Sequence, residues 1–176
     1  EKSLKESEVA NAYAKYQELL AKEGLLDFGN QFYLSLNLLR DHPAILKKYQ
    51  KQFKYILVDE FQDTNYAQYQ LAKILTNKEQ NITVTGDDDQ SIYRWRGAAY
   101  SNLLNFLKEY PVTKKVSLIQ NYRSTQPILD SAYRLIQNNN PERFEIKANI
   151  NKHLIGLTKD GPLPQHLHFD TYSTEA

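Results

Sequence analysis

Apolar residues recur three or four positions apart through the first third of the chain. Val9, Tyr13, Tyr16 and Leu20 fall on one side of a helix, which predicts an amphipathic helix over residues 7–23. Gly24 is placed to end it. Asp27 is placed to cap a second helix, with Phe28, Phe32, Leu36 and Leu39 on its apolar face. Asp41-His42-Pro43 reads as a fresh start, with Pro43 in the first turn of a helix that carries Ile45, Leu46 and Tyr49. The period then changes. Tyr55-Ile56-Leu57-Val58 is a short apolar run with β-branched members, which predicts a fully buried strand of a parallel sheet. A helix bearing Tyr69, Leu71, Ala72 and Leu75 follows, capped by Thr64 or Asn65. Ile82-Thr83-Val84-Thr85 predicts a second strand. Two strands joined by a helix predict a right-handed βαβ unit.

The second half is less regular. Leu103, Leu104, Phe106 and Leu107 predict a helix over 100–110, ended by Pro111. Residues 115–119 are a third strand candidate. Ser124 is placed to cap a helix over 125–138, with Pro127 tolerated in its first turn. From 142 to 164 the pattern is weak and polar, which predicts an irregular or mobile segment. Residues 165–169 alternate and predict a final strand. The predicted structural boundary lies at 111–114. The whole reads as an α/β chain with a helix-rich beginning.

Composition adds bounds. The 176 residues are 41% hydrophobic, enough for a core and against wholesale disorder. With 22 basic and 21 acidic residues the net charge is +1, so any nucleic-acid binding has to come from local arrangement. The absence of cysteine excludes a disulfide scaffold and thiolate metal sites, and is compatible with a cytoplasmic protein. No apolar run reaches the length of a membrane span, and Glu1-Lys2-Ser3 does not open a signal peptide. There is no methionine either, and the chain reads as an internal piece of a longer protein. Thirteen tyrosines are many for this length, so a stacking role for a few is worth testing.

Three clusters carry candidate chemistry. The first is Asp59-Glu60, at the carboxyl end of the first strand, where ligands bind in open α/β sheets. One carboxylate there can hold a hydrated Mg²⁺ that bridges nucleotide phosphates, and its neighbour can orient or deprotonate an attacking water. An exposed acidic turn is the plain alternative, and the pair alone does not choose. The second runs from Gly86-Asp87-Asp88-Asp89-Gln90 through Tyr93-Arg94-Trp95-Arg96. Gln90 can hydrogen-bond a phosphate oxygen or a water. Tyr93 and Trp95 alternate, so on an extended segment they share a side, and aromatics flanked by arginines suit unpaired bases. A core tryptophan with snorkelling arginines is the competing reading. The third is Gln120-Asn121-Tyr122-Arg123-Ser124-Thr125, where an arginine before a helix N-terminus suits an anion, or simply faces solvent.

Taken in order, Val58-Asp59-Glu60-Phe61-Gln62-Asp63-Thr64, the Gly86–Ala98 segment and Gln120-Asn121-Tyr122-Arg123-Ser124-Thr125 closely resemble consecutive motifs of superfamily 1 DNA helicases of the UvrD/Rep/PcrA type. Leu25-Leu26-Asp27-Phe28 resembles the family segment ahead of the acidic strand. The resemblance implies a partial RecA-like P-loop NTPase motor fold. Residues 1–24 would end an inserted helical subdomain, 25–113 form the second half of a first motor domain, and 114–176 begin a second. It implies ATP and Mg²⁺ as cofactors, with single-stranded DNA and its junctions with duplex as partners. Asp59 would coordinate Mg²⁺ with Glu60 beside it, and Glu60 would act on the hydrolytic water. Gln90 would sense the γ-phosphate. Tyr93 and Trp95 would stack on bases with Arg96 nearby, Tyr122 would stack on adenine, and Arg123 would be the arginine finger.

Two departures go with it. None of the six glycines is followed by lysine, so the phosphate-cradling Gly-x-x-x-x-Gly-Lys-Ser/Thr loop is not in this sequence. This chain alone is therefore expected to be inactive. Gly29-Asn30 stands where the family usually has acids. Two rivals make distinct claims. A RecB/AddA-type helicase–nuclease would carry a nuclease domain elsewhere. A non-catalytic DNA-binding module would need neither the carboxylate pair nor Arg123.

Overall fold

The computed structural model describes residues 2–92, 102–165 and 168. The described residues form two compact units, one up to Gly86 and the other from Asp87–Ile92 with the residues from Asn102 onward.

The first unit is mostly helical. Helix α1, Lys2–Glu23, starts before residue 7 and ends at Gly24, whose φ of +66° is the left-handed turn that glycine adopts without a Cβ penalty. Its expected apolar face is not a core face. Val9 and Tyr13 are exposed, and only Gln17 and Leu20 on that side are half-buried. Polar contacts instead tie α1 to α2, Phe28–Asp41. Asp27 caps α2 by accepting from the Asn30 backbone N–H at 2.6 Å, and its other oxygen accepts from the Tyr16 hydroxyl at 2.9 Å. The buried Asn30 donates its amide to Gln17 at 2.7 Å. Leu36 and Leu39 are buried as expected, whereas Phe28, the first helical residue, is 83% exposed. Helix α3, Pro43–Gln52, has its proline in the first turn, as predicted.

Strand β1, Ile56–Val58, pairs in parallel with β2, Ile82–Val84, in the register Ile56↔Ile82, Leu57↔Thr83, Val58↔Val84. Helix α4, Tyr66–Leu75, joins them and opens on a capping box between Asn65 and Gln68, a device that stabilises a helix start by about 1 kcal/mol. The expectation of full burial for β1 is corrected. Leu57 is 68% exposed while Ile56 and Val58 are half-buried. Successive side chains point to opposite faces, and only one face of this two-stranded sheet is covered by described residues.

In the second unit α5, Asn102–Glu109, buries Leu103 and Phe106. The strand expected at 115–119 is displaced to β3, Gln120–Asn121. Val116 and Leu118 are exposed, and the parallel partner β4, Ile155–Gly156, begins its ladder only where the Ile155 N–H reaches the Ile119 carbonyl at 2.7 Å. Helix α6, Gln126–Ile136, has Thr125 rather than Ser124 at its cap position, with no side-chain cap bond. The Thr158 carbonyl accepts from the Gln126 N–H at 3.1 Å instead. A 3-10 turn, Gln137–Asn139, follows, and the Asn140–Pro141 peptide is cis.

The segment 142–164, expected to be irregular, holds α7, Phe144–Lys147, and β4. It also contains Arg143 and Glu145, both buried. Of the strand expected at 165–169, residues 166, 167 and 169 lie outside the described residues, and 165 and 168 are not in a strand. The architecture is helix-rich with two small parallel sheets.

Candidate functional site

Asp59 and Glu60 leave the carboxyl end of β1. Both are exposed. Glu60 has φ 49° and ψ 45°, the left-handed region that a non-glycine residue enters at a cost of order 1 kcal/mol or more. Neighbouring bonds hold it there. The Phe61 N–H donates to the Thr85 carbonyl at 2.8 Å, and the Asp63 N–H donates to the Glu60 carbonyl at 2.9 Å. Phe61 is fully buried and packs edge-on against Tyr69 at 5.2 Å. The turn is therefore pinned between β2 and α4, and it directs two carboxylates into solvent. Asp59 Oδ1 accepts from the Glu60 N–H at 3.0 Å and from the Thr85 hydroxyl. Glu60 Oε2 accepts from the buried Gln62 amide at 2.7 Å. Asp59 Oδ2 has no hydrogen-bond partner among the described residues.

In the second unit Asp87, Asp88 and Asp89 bring carboxylate oxygens within 4.8 Å of one another, a spacing that suits a cation. A cation of the chain already lies among them. Lys152 Nζ donates to Asp87 Oδ1, to Asp88 Oδ1 at 2.6 Å and to Asp89 Oδ2 at 2.7 Å. Arg143, 2% exposed, grips Asp89 through Nε at 2.9 Å and Nη2 at 2.6 Å. Its Nη1 lies 2.7 Å from Glu145 Oε2, an ion-pair contact without hydrogen-bond alignment. Burial pulls the Asp89 carboxyl up, and the bonds from Arg143 and Lys152 outweigh it, leaving Asp89 below the usual carboxylate range. Burial likewise pulls Lys152 down, and its three carboxylate partners hold it above the ordinary lysine value. Gln90 ends this 3-10 turn, Asp88–Gln90, and donates its side-chain amide to Asp87 Oδ2 at 2.8 Å. Tyr93, Trp95 and Arg96 lie outside the described residues.

Tyr122 and Arg123 follow β3. Asn121 Oδ1 accepts from the backbone N–H groups of Arg123 at 2.9 Å and Ser124 at 2.7 Å, a side-chain turn that fixes the backbone. Tyr122 is 76% exposed. The Arg123 guanidinium is exposed and pairs with no described residue.

Each predicted residue inside the described chain thus lies on a braced turn. Asp59 and Glu60 are together in the first unit. Gln90, Tyr122 and Arg123 belong to the second, on separate turns. Sequence reasoning missed Arg143, Glu145 and Lys152. They sit in a polar stretch with no periodicity, and the partners of Arg143 and Lys152 among Asp87–Asp89 are more than 50 residues away.

Residues 1–111 match the UvrD/REP helicase N-terminal domain. The chain belongs to that family. Among curated UvrD/REP-type relatives, it is 48% identical over 132 residues to the ATP-dependent DNA helicase PcrA of Leuconostoc citreum. That alignment covers 75% of this chain and 18% of the relative. It is 47% identical over 135 residues to the protein of the same name in Staphylococcus aureus, covering 77% and 18%. The chain therefore spans under a fifth of the length of these UvrD/REP relatives. Among the described residues no helix is long and apolar enough to cross a membrane.

Proposed function

We propose that this chain is part of an ATP-dependent DNA helicase or translocase that moves 3′→5′ along single-stranded DNA in the cytoplasm and opens its junctions with duplex. The observation that carries this is the Asp59-Glu60 turn, in a chain of the UvrD/REP family. A strained left-handed residue at a strand end is conformational energy held at a functional position, and its side chain is one of two solvent-facing carboxylates.

We assign the β1–α4–β2 unit to a RecA-like motor domain, with residues 1–24, 25–113 and 114–176 divided as the resemblance implies. Asp59, Glu60 and the Thr85 hydroxyl form an all-oxygen donor set, which fits Mg²⁺. Asp59 and Glu60 would hold it. When bound, Mg²⁺ neutralises phosphate charge. Glu60 takes the proton of the attacking water as its oxygen bonds to the γ-phosphorus and ADP leaves. Gln90 contacts the γ-phosphate or that water. Arg123, a guanidinium with no described partner, stabilises charge on the transferring group, and Tyr122 stacks on adenine. Tyr93 and Trp95 stack on DNA bases, and Arg96 contacts the backbone. This stretch by itself contains no Gly-Lys phosphate loop and is inactive.

Glu60→Gln in the full-length protein tests the reading. The Gln62 bond survives, because a glutamine carbonyl also accepts. DNA-stimulated ATP turnover is expected to fall by about 10²–10⁴, the range of a lost general base, with nucleotide binding retained. Turnover within about twofold of wild type would sink the assignment.

A further inference from the structure

We propose that Lys152 is a positioning residue for Gln90, acting through Asp87. The proposal deepens the reading above and rests on it.

One carboxylate links the two side chains. Asp87 Oδ1 accepts from Lys152 Nζ, and Asp87 Oδ2 accepts from the Gln90 amide at 2.8 Å. A carboxylate only accepts, so it must face the Gln90 nitrogen. That fixes which way round the amide sits. The Gln90 carbonyl oxygen and its second N–H are thereby turned away from the cluster. Gln90 itself is exposed and ends a three-residue 3-10 turn, too short to orient a long side chain by packing. The Asp87 bond supplies what the turn does not.

Lys152 in turn sets Asp87. Three carboxylates on consecutive residues repel one another, and the Lys152 ammonium among them offsets that repulsion and, together with the Asp89 N–H at 3.2 Å, holds Asp87 Oδ1 in place. Lys152 is oriented from its own side. Its backbone N–H donates to Glu145 Oε1 at 2.9 Å, and the Tyr133 hydroxyl donates to the same carboxylate at 3.1 Å. Glu145 also pairs with Arg143, which grips Asp89. The Phe144 N–H donates to Asp88 Oδ2 at 2.7 Å. Residues 143–152 therefore form a strap across Asp87–Asp89, and within that strap Lys152 is the residue whose side chain reaches Asp87 Oδ1, on the carboxylate that holds Gln90. Arg143 secures the turn, whereas Lys152 aims the amide.

The test is a double-mutant cycle in the full-length protein, with DNA-stimulated ATP turnover as the readout and Glu60→Gln as a parallel control. Gln90→Ala and Lys152→Met are each expected to lower kcat by a similar factor, about tenfold or more, the scale of coupling between contacting side chains. The KM for ATP changes less. The double variant is expected to be no slower than Gln90→Ala alone, because removing Lys152 has nothing left to misplace. Lys152→Arg restores most of the turnover, since it keeps a donor among the acids. A kcat for Lys152→Met at the wild-type value, or a double variant slower by the product of the two factors, overturns the proposal. Should Lys152→Met fail to fold, Asp87→Asn is read in the same cycle with the same two outcomes. Loss of turnover in Glu60→Gln beside a multiplicative cycle would remove only the Lys152 role. Full turnover in Glu60→Gln would remove the underlying reading.

Discussion

Arg143 is 2% exposed yet carries a full charge. A buried ion is tolerated only when its partners replace the lost water. Here Asp89 takes two of its donors, Glu145 faces a third, and the guanidinium lies over the Tyr133 ring at 5.4 Å. Arg143→Met would leave two largely buried carboxylates without their main cation. We expect it to lose about 3–5 kcal/mol, the range for breaking one side of a buried pair, read as a lower urea midpoint. A shift under about 1 kcal/mol would show that water replaces the arginine at little cost. The pH dependence has a sign. Asp89 is depressed in the folded chain, so its contribution is fully present above the unfolded carboxyl value and is lost as pH falls through its lower folded value. The wild-type chain should therefore weaken below about pH 4, and Arg143→Met should show a shallower acid limb because Asp89 is less depressed. Lys152 runs the other way. Its raised value keeps its contribution through neutral pH and loses it only at strongly alkaline pH.

Among the elements, β4 is short but positions the Tyr122-Arg123 turn closely. The Gly156 N–H donates to Gln126 Oε1 at 2.8 Å, and a Cβ at 156 would lie 2.9 Å from the Ser124 carbonyl oxygen. The obstacle is backbone and cannot rotate away. Gly156→Ala should therefore cost about 1–3 kcal/mol, as overpacking does, and speed amide exchange at Ser124 and Gln126. Unchanged exchange at both amides would show that β4 does not brace the turn. The same contrast explains what was legible beforehand. The caps at Asp27 and Asn65, the proline start of α3 and the stop at Gly24 are local and stand in the sequence as residue types at fixed offsets. Asp59-Glu60 was legible as a carboxylate pair at a strand end for the same reason. The left-handed turn at Glu60 was not, because it is held through the Phe61 N–H by the Thr85 carbonyl, which lies outside the motif. The 142–164 segment is mostly irregular, as expected, but its fixed contacts were not legible because they are ion pairs to residues 54 to 65 positions away, which leave no periodicity in the chain. Exposure at Leu57 and Phe28 also escaped the pattern, which records hydrophobicity but not what covers it.

At the scale of the whole molecule, each unit has its own core. Leu36, Leu39, Phe61 and Tyr69 serve the first, and Leu103, Phe106, Leu129 and Ala148 the second. Each orders its own turn through described bonds within itself, those that pin Glu60 in the first and those that pin Gln90 and Arg123 in the second. Ordered turns are still not a nucleotide site. Triphosphates are cradled by consecutive backbone N–H groups of a glycine-rich loop, with a lysine reaching the outer phosphates. Not one of the six glycines here precedes a lysine, and Lys152, the lysine of the buried lysine–carboxylate cluster among the described residues, is spent on Asp87–Asp89. In its proposed role, Glu60 can orient little if the γ-phosphate is not held beside it. The purified 176-residue chain, shown to be folded by cooperative urea unfolding, should therefore turn over ATP no faster than its Glu60→Gln variant, with or without single-stranded DNA. Robust turnover that disappears with Glu60→Gln would mean that these turns hold the triphosphate unaided, and the role given to the missing loop would have to be abandoned.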